Sequence, residues 1–273
     1  MMTIAPISSI YTQSFGAKSP EARTADDIQR KTRTAFPFFS PSYADVYYSS
    51  CSSAYHSDCP SEAVQHWDNM YTLDRMAAKM GIIREARSEN LCGRHNFTNK
   101  VQETVNDIKK YHLANCEESA TLILGNLLAN GYQNSMKCSL KFETKVYEKG
   151  KKDCIYVERD NLDHACVLST MDKNPNNKAK YYVLDGWFGF ADSMQGAIGR
   201  YNQLIDKKKI EKAKQKAIVQ FTKANQGKYK DFDLNNFEIR QHIVCDLKEI
   251  AAEEDKAKLK KLFTAKYPEL IEQ

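Results

Sequence analysis

The chain has 273 residues, 42% of them apolar and 27% charged, with a formal net charge of +5. Length and balance predict a protein able to bury a sizeable core, as one elaborated domain or one domain with flanking segments. No run approaches the roughly 18 apolar residues of a membrane span, and the mild, local basic excess predicts no specific nucleic-acid partner.

Residues 1–34 are rich in Ser, Thr and Ala, with Gly16 and Pro20, and predict a flexible leader ahead of a single domain over 35–273. No basic segment followed by an apolar one marks a Sec-type signal. A polar leader of this kind also suits secretion by a non-Sec route. The eight cysteines contain no Cys-x-x-Cys pair and read as reduced thiols of a cytoplasmic protein. Residues 36–55 are aromatic and serine-rich, and predict irregular chain or short helix packed on the core. Cys51, His56, Cys59 and His66 are zinc-capable residue types, so a zinc-stabilised module is an alternative organisation there, although their spacing matches no usual finger pattern. Ser61 to Gly81 predicts a helix opened after Pro60 and closed by the glycine. Asn99 to about His112 predicts another, with Val101, Val105 and Ile108 on one face.

The next element organises the rest. From Ala120 the apolar residues fall at Ile123, Leu124, Leu127 and Leu128, the spacing of a helix burying one face, and Asn130-Gly131 is its stop. Asn115 is a good N-cap, which places Cys116 in the first turn, where unpaired N–H groups and the helix dipole favour a thiolate. Glu117 and Glu118 oppose that effect, so Cys116 needs a base.

Ser139 to Val146 alternates as a half-buried strand, 147–153 is a charged turn around Gly150, and Cys154 to Val157 begins the next strand. Asp163 to Ser169 and Lys180 to Asp185 read as two further strands joined by the turn Asp172-Lys173-Asn174-Pro175-Asn176-Asn177. A hairpin centred near Pro175 puts His164 opposite Asp185, where a carboxylate can hold the imidazole tautomer and leave its other nitrogen for Cys116. Asp163 is the rival carboxylate, but successive side chains of a strand leave on opposite faces. Lys207 to Phe221 predicts an amphipathic helix with a basic outer face, a surface helix first and a site for an acidic partner or membrane surface second. Asp246 to Lys266 predicts a final charged helix with Leu247, Ile250, Leu259, Leu262 and Phe263 inward. Helices followed by hairpin-linked strands make the fold class α+β, with the Cys116 helix packed on an antiparallel sheet and a helical extension over about 200–273.

A helix-starting Cys116, an Asp163-His164 pair opening a strand, and a strand ending in Leu184-Asp185-Gly186-Trp187-Phe188 resemble the transglutaminase-like core of the papain-like cysteine enzymes. The resemblance covers roughly Thr98 to Phe190. It implies a central helix headed by the nucleophile, His and Asp on neighbouring strands, and a catalytic core over about 98–190. Three departures stand out: the glycine often found shortly before the nucleophile is absent, Gly186 follows the aspartate where that core often has proline, and no Gln lies at the short upstream distance where papain-type enzymes keep an oxyanion donor.

The chemistry implied is thiolate attack on an amide or other acyl carbonyl, an acyl-thioester intermediate, and release to water or an amine, as in a protease, a glutamine deamidase or a transglutaminase. The expected substrate is a protein or peptide, and no cofactor or metal is expected. The Cys116 N–H is the default oxyanion donor, with Gln102, Asn115 and Trp187 as side-chain candidates around the substrate. The alternative function is a non-catalytic interaction domain on the same fold.

Overall fold

The computed structural model describes residues 20–38, 73–90, 96–170, 181–205, 207–225 and 233–272. Among them lie helices α1 (Pro20–Ala35), α2 (Leu73–Asn90), α3 (Phe97–Tyr111) and α4 (Cys116–Ala129). Strands β1 (Met136–Glu148), β2 (Cys154–Ser169), β3 (Tyr182–Asp185) and β4 (Phe190–Ser193) follow. Helices α5 (Met194–Leu204) and α6 (Lys207–Asn225), strand β5 (Phe237–Glu249) and helix α7 (Glu253–Lys266) complete the order. The sheet runs β4-β3-β2-β1-β5, and β3 is antiparallel to both β2 and β4. This is an α+β fold with an antiparallel sheet, as the order of patterns predicts. The aromatic segment over 39–55, the zinc-capable Cys51, His56, Cys59 and His66, residues 61–72 of the predicted helix and the turn over 172–177 lie outside the described residues.

The chain divides into two compact units. The larger takes residues 17–138, 165–197 and 247–273, and α4 is its centre. Every residue of α4 from Glu118 to Ala129 is buried, where the sequence pattern predicts a single buried face. A helix apolar nearly all round needs partners on all sides, and α1, α3, α7 and β3 pack against it. It stops where Asn130-Gly131 predicts: Gly131 has φ 88°, its N–H donates to the Leu128 carbonyl, and the Tyr132 N–H returns to Leu127.

α1 corrects the reading of a flexible leader through residue 34. Ala25, Ile28, Gln29, Thr32 and Phe36 are all buried at helical spacing. Two of those five residues are polar, so hydropathy does not reveal the stripe. Thr32 Oγ1 instead accepts from Asn126 Nδ2 of α4 at 2.8 Å, which satisfies both buried polar groups. α2 corrects a second boundary, since it runs through Gly81, which is exposed with open space around it. The final helix also begins later than its charge pattern predicts. Residues 246–249 belong to β5, leaving Leu247 and Ile250 exposed, while Leu259 and Phe263 of α7 are buried as expected.

The smaller unit takes its described residues from 139–164 and 198–246. Phe221 of α6 anchors a cluster with Val146 and Phe237, its ring 5.1 Å from Phe237 and 5.4 Å from the half-buried Tyr156. Ala213, Ala217 and Phe221 form the inward face of α6, and Lys207, Lys208, Lys209 and Lys212 are exposed. The amphipathic pattern of that helix is thereby realised as predicted.

Candidate active site at the head of the central helix

α3 ends at His112, whose backbone takes the left-handed conformation (φ 53°) and donates its N–H to the Ile108 carbonyl. Three residues later Asn115 opens α4 with a reciprocal capping box. The Glu118 carboxylate accepts the Asn115 backbone N–H at 3.0 Å. Cys116 is the first residue of the helix and is partly exposed, whereas Cys138, Cys166 and Cys245 are buried and Cys154 is exposed. None of these five is in a disulfide.

The two glutamates beside Cys116 are each held by cations. Glu118 is wholly buried, and Arg84 of α2 grips it with two bonds of 2.9 Å, from Nε and Nη2. Arg87, one turn further along α2, reaches Glu118 at 3.1 Å and Asp107 of α3 at 2.7 Å. Burial alone would push the Glu118 carboxyl up, but Arg84, Arg87 and the Asn115 N–H outweigh it and hold the group below the usual carboxylate range. Glu117 meets Lys137 of β1 at 2.7 Å and also Lys100 and Lys248. Against the opposing effect of burial, Lys137 and Lys248 bring Glu117 down to about 2. The Lys137 side chain is fully buried between Glu117 and Glu249, and burial draws its ammonium below the ordinary lysine value. The glutamates that count against a thiolate in the sequence are thus neutralised in place.

Within the same unit the Asp185 turn lies on α4. A Cβ added to Gly186 would sit 2.1 Å from Ile123 Cδ1 and 2.6 Å from Ser119 Oγ, and Ser119 is one helical turn beyond Cys116. Asp185 is buried, and its Oδ1 accepts the backbone N–H groups of Trp187 at 3.1 Å and Phe188 at 3.0 Å. Its backbone carbonyl accepts from Gly189 N at 2.7 Å and from Gln29 Nε2 of α1 at 3.4 Å.

The hairpin register differs from the predicted one. Val167 pairs with Leu184, Leu168 with Val183 and Ser169 with Tyr182. Continued by one step, that ladder sets Asp185 opposite Cys166, not His164. The midpoint of the pairing falls between Pro175 and Asn176, and moving a hairpin centre by one residue moves every partner by two. Because the side-chain period is also two, the shift preserves which face each residue occupies. His164 belongs to the smaller unit, where its ring packs edge-on to buried Tyr201 at 5.8 Å. The side chain of Asp163 lies outside the described residues.

Trp187 is buried with its ring edge-on to Phe188 at 4.8 Å, the packing role that competes with a substrate-binding one. Gln102 donates to Asn106 Oδ1 at 3.0 Å and accepts from Lys266 at 2.9 Å, both exposed bonds on the outer side of α3. Asn115 is spent on the cap. Sequence reasoning missed Arg84, Arg87 and Lys137. The available signal was Asn115-x-x-Glu118, since a capping-box glutamate heading an otherwise apolar helix requires buried counter-ions. Among the described residues no group of His, Cys, Asp or Glu side chains is placed to hold a metal ion, and no helix is long and apolar enough to cross a membrane.

No protein-family model, curated protein or solved structure matches the chain.

Proposed function

We propose that the chain is a cysteine-dependent hydrolase or acyltransferase acting on amide bonds of a protein or peptide. Cys116 is the nucleophile, His164 the base and Asp185 the carboxylate that orients it. One observation carries this reading. The single partly exposed thiol among the five described heads a buried helix whose first turn is fixed by a capping box and a braced set of ion pairs. Such a turn offers oriented N–H groups to an anionic sulfur and to the oxyanion formed when that sulfur attacks a carbonyl. Release of the acyl group to water gives hydrolysis, and release to an amine gives transfer.

The test is site-resolved alkylation with iodoacetamide at neutral pH, followed by mass spectrometry. Cys116 is expected to react faster than Cys154, although Cys154 is the more exposed, and His164→Ala should slow Cys116 alone. An acyl adduct on Cys116, formed with an activated peptide ester and absent from Cys116→Ser, completes the assignment. An inert Cys116 beside a reactive Cys154 overturns it. The capping role of Asp185 Oδ1 favours the second reading, a non-catalytic interaction domain, which that outcome would support.

A further inference from the structure

The electrostatics at the head of α4 extend beyond pinning the helix. Five cations meet four carboxylates in two neighbouring sets of ion pairs: Arg84 and Arg87 with Glu118 and Asp107, and Lys100, Lys137 and Lys248 with Glu117 and Glu249. The arginine set balances, and the lysine set leaves one positive charge over beside the first turn of a helix, whose dipole adds to it. Arg84 is the exposed member of the arginine pair. Its side chain is 44% accessible while the Glu118 it grips is at 0%. Both bonds to Glu118 use Nε and Nη2, so the Nη1 amino group lies outside that fork. Glu118, which Arg84 grips, stands two residues after Cys116 in the same first turn of α4. An unmet donor lies beside Arg84 in the arginine set: Arg87 Nη2 is buried with no hydrogen-bond partner among the described residues, in a side chain only 9% accessible.

We propose that Arg84, braced by Glu118, is the specificity-determining residue of the Cys116 site and selects acyl donors that carry a carboxylate next to the carbonyl under attack. The inference rests on reading Cys116 as the nucleophile. A guanidinium suits the task because it stays charged and its planar fork leaves donors for a second anion once the first is bound. Glu118 fixes where that charge stands, so little ordering remains to be done when an anionic group arrives.

The experiment compares two alkylating reagents of the same reactive type, anionic iodoacetate and neutral iodoacetamide, on the full chain with site-resolved mass spectrometry. The iodoacetate-to-iodoacetamide rate ratio at Cys116 should exceed that at Cys154 by about five-fold, the effect of one nearby charge at intermediate dielectric. Arg84→Gln should bring the Cys116 ratio down to the Cys154 value, and Arg84→Lys should keep most of it. Raising salt from about 0.05 to about 0.5 M should reduce the ratio in the unsubstituted protein, so the inference is tested even if the glutamine variant does not fold. Equal ratios at the two thiols, or no response to Arg84→Gln and to salt, overturn it. The two readings fail separately. A charge-dependent ratio at Cys116, with activity surviving in Cys116→Ser, refutes the nucleophile and leaves Arg84 an anion-recognising neighbour. Activity lost in Cys116→Ser, with no charge preference, refutes Arg84 alone.

Discussion

Asp185 Oδ1 accepts the Trp187 backbone N–H at 3.1 Å, and that bond, with a second from Phe188 N, closes the turn between β3 and β4. The carboxylate therefore has a structural duty besides the orienting role proposed for it, and two substitutions separate them. Asp185→Asn retains an acceptor oxygen but removes the charge. Its urea midpoint should stay close to that of the unsubstituted protein, while turnover falls by about 10- to 1,000-fold, less than the roughly 10⁴-fold cost of the same change in a serine-protease triad. Asp185→Ala leaves the buried Trp187 N–H and the half-buried Phe188 N–H unmet and should cost about 1–3 kcal/mol in urea unfolding. Unchanged turnover in the asparagine variant would assign Asp185 to the turn alone.

Gly186 shows how tightly that turn is seated. The Cβ of Gly186→Ala would lie 2.1 Å from Ile123 Cδ1 and 2.6 Å from Ser119 Oγ, so the turn must lift or α4 must give. Overpacking of this kind costs about 1–3 kcal/mol. Ile123→Val removes Cδ1 and should recover part of the loss, making the double variant more stable than the sum of the single changes predicts. A strictly additive cycle would place the clash elsewhere.

Much of this arrangement was legible in the sequence wherever local rules decide it. The N-cap at Asn115, the stop at Asn130-Gly131, the turn around Gly150 and the inward face of α6 follow from caps, glycines and period, and the structure has them. The missed features depend on partners distant in the chain. The buried stripe of α1 includes Gln29, whose Nε2 donates to Asp185 O, and Thr32, whose hydroxyl accepts from Asn126. Lys137 reads as a solvent-facing lysine, yet it is fully buried because Glu117 and Glu249 flank it. Twelve residues separate β2 from β3, and their composition does not fix the centre of the β2–β3 pairing to within one residue, enough to move the Asp185 partner from His164 to Cys166. The fold class tolerates such shifts.

The placement of α1 gives a direct stability test. Ile28 is completely buried, and α1 packs against α4. Ile28→Ala should cost about 2–5 kcal/mol, the range for truncating a buried isoleucine. Deleting residues through Thr34 should lower the melting temperature strongly or prevent folding. A truncated chain that melts like the full one would show that α1 contributes nothing to the core.

The last prediction concerns acid. Glu117 has an ordinary value of 4.5 that falls to about 2 in the fold; burial opposes the change, and the charges and hydrogen bonds of Lys137 and Lys248 overcome it. Because the folded value lies below the unfolded one, Glu117 contributes stability that is fully present above about 4.5 and is lost as pH falls toward about 2. A difference of that size is worth roughly 3 kcal/mol. Glu118 and Glu249 are shifted in the same direction, so the unsubstituted protein should lose stability through this window by more than Glu117 alone accounts for. Glu117→Gln isolates the one group, since glutamine has nearly the shape of the protonated acid. At neutral pH the variant should be less stable by about 2–4 kcal/mol, the loss including the poorer company left for buried Lys137. The gap should narrow as pH drops below about 4.5 and close as pH falls through about 2, once Glu117 is protonated and both proteins carry a neutral group at this position. Urea unfolding at a series of pH values measures it. A gap that stays constant down to the lowest pH would mean that Glu117 is not held ionised by Lys137 and Lys248, and the charge surplus assigned to the head of α4 would have to be recounted.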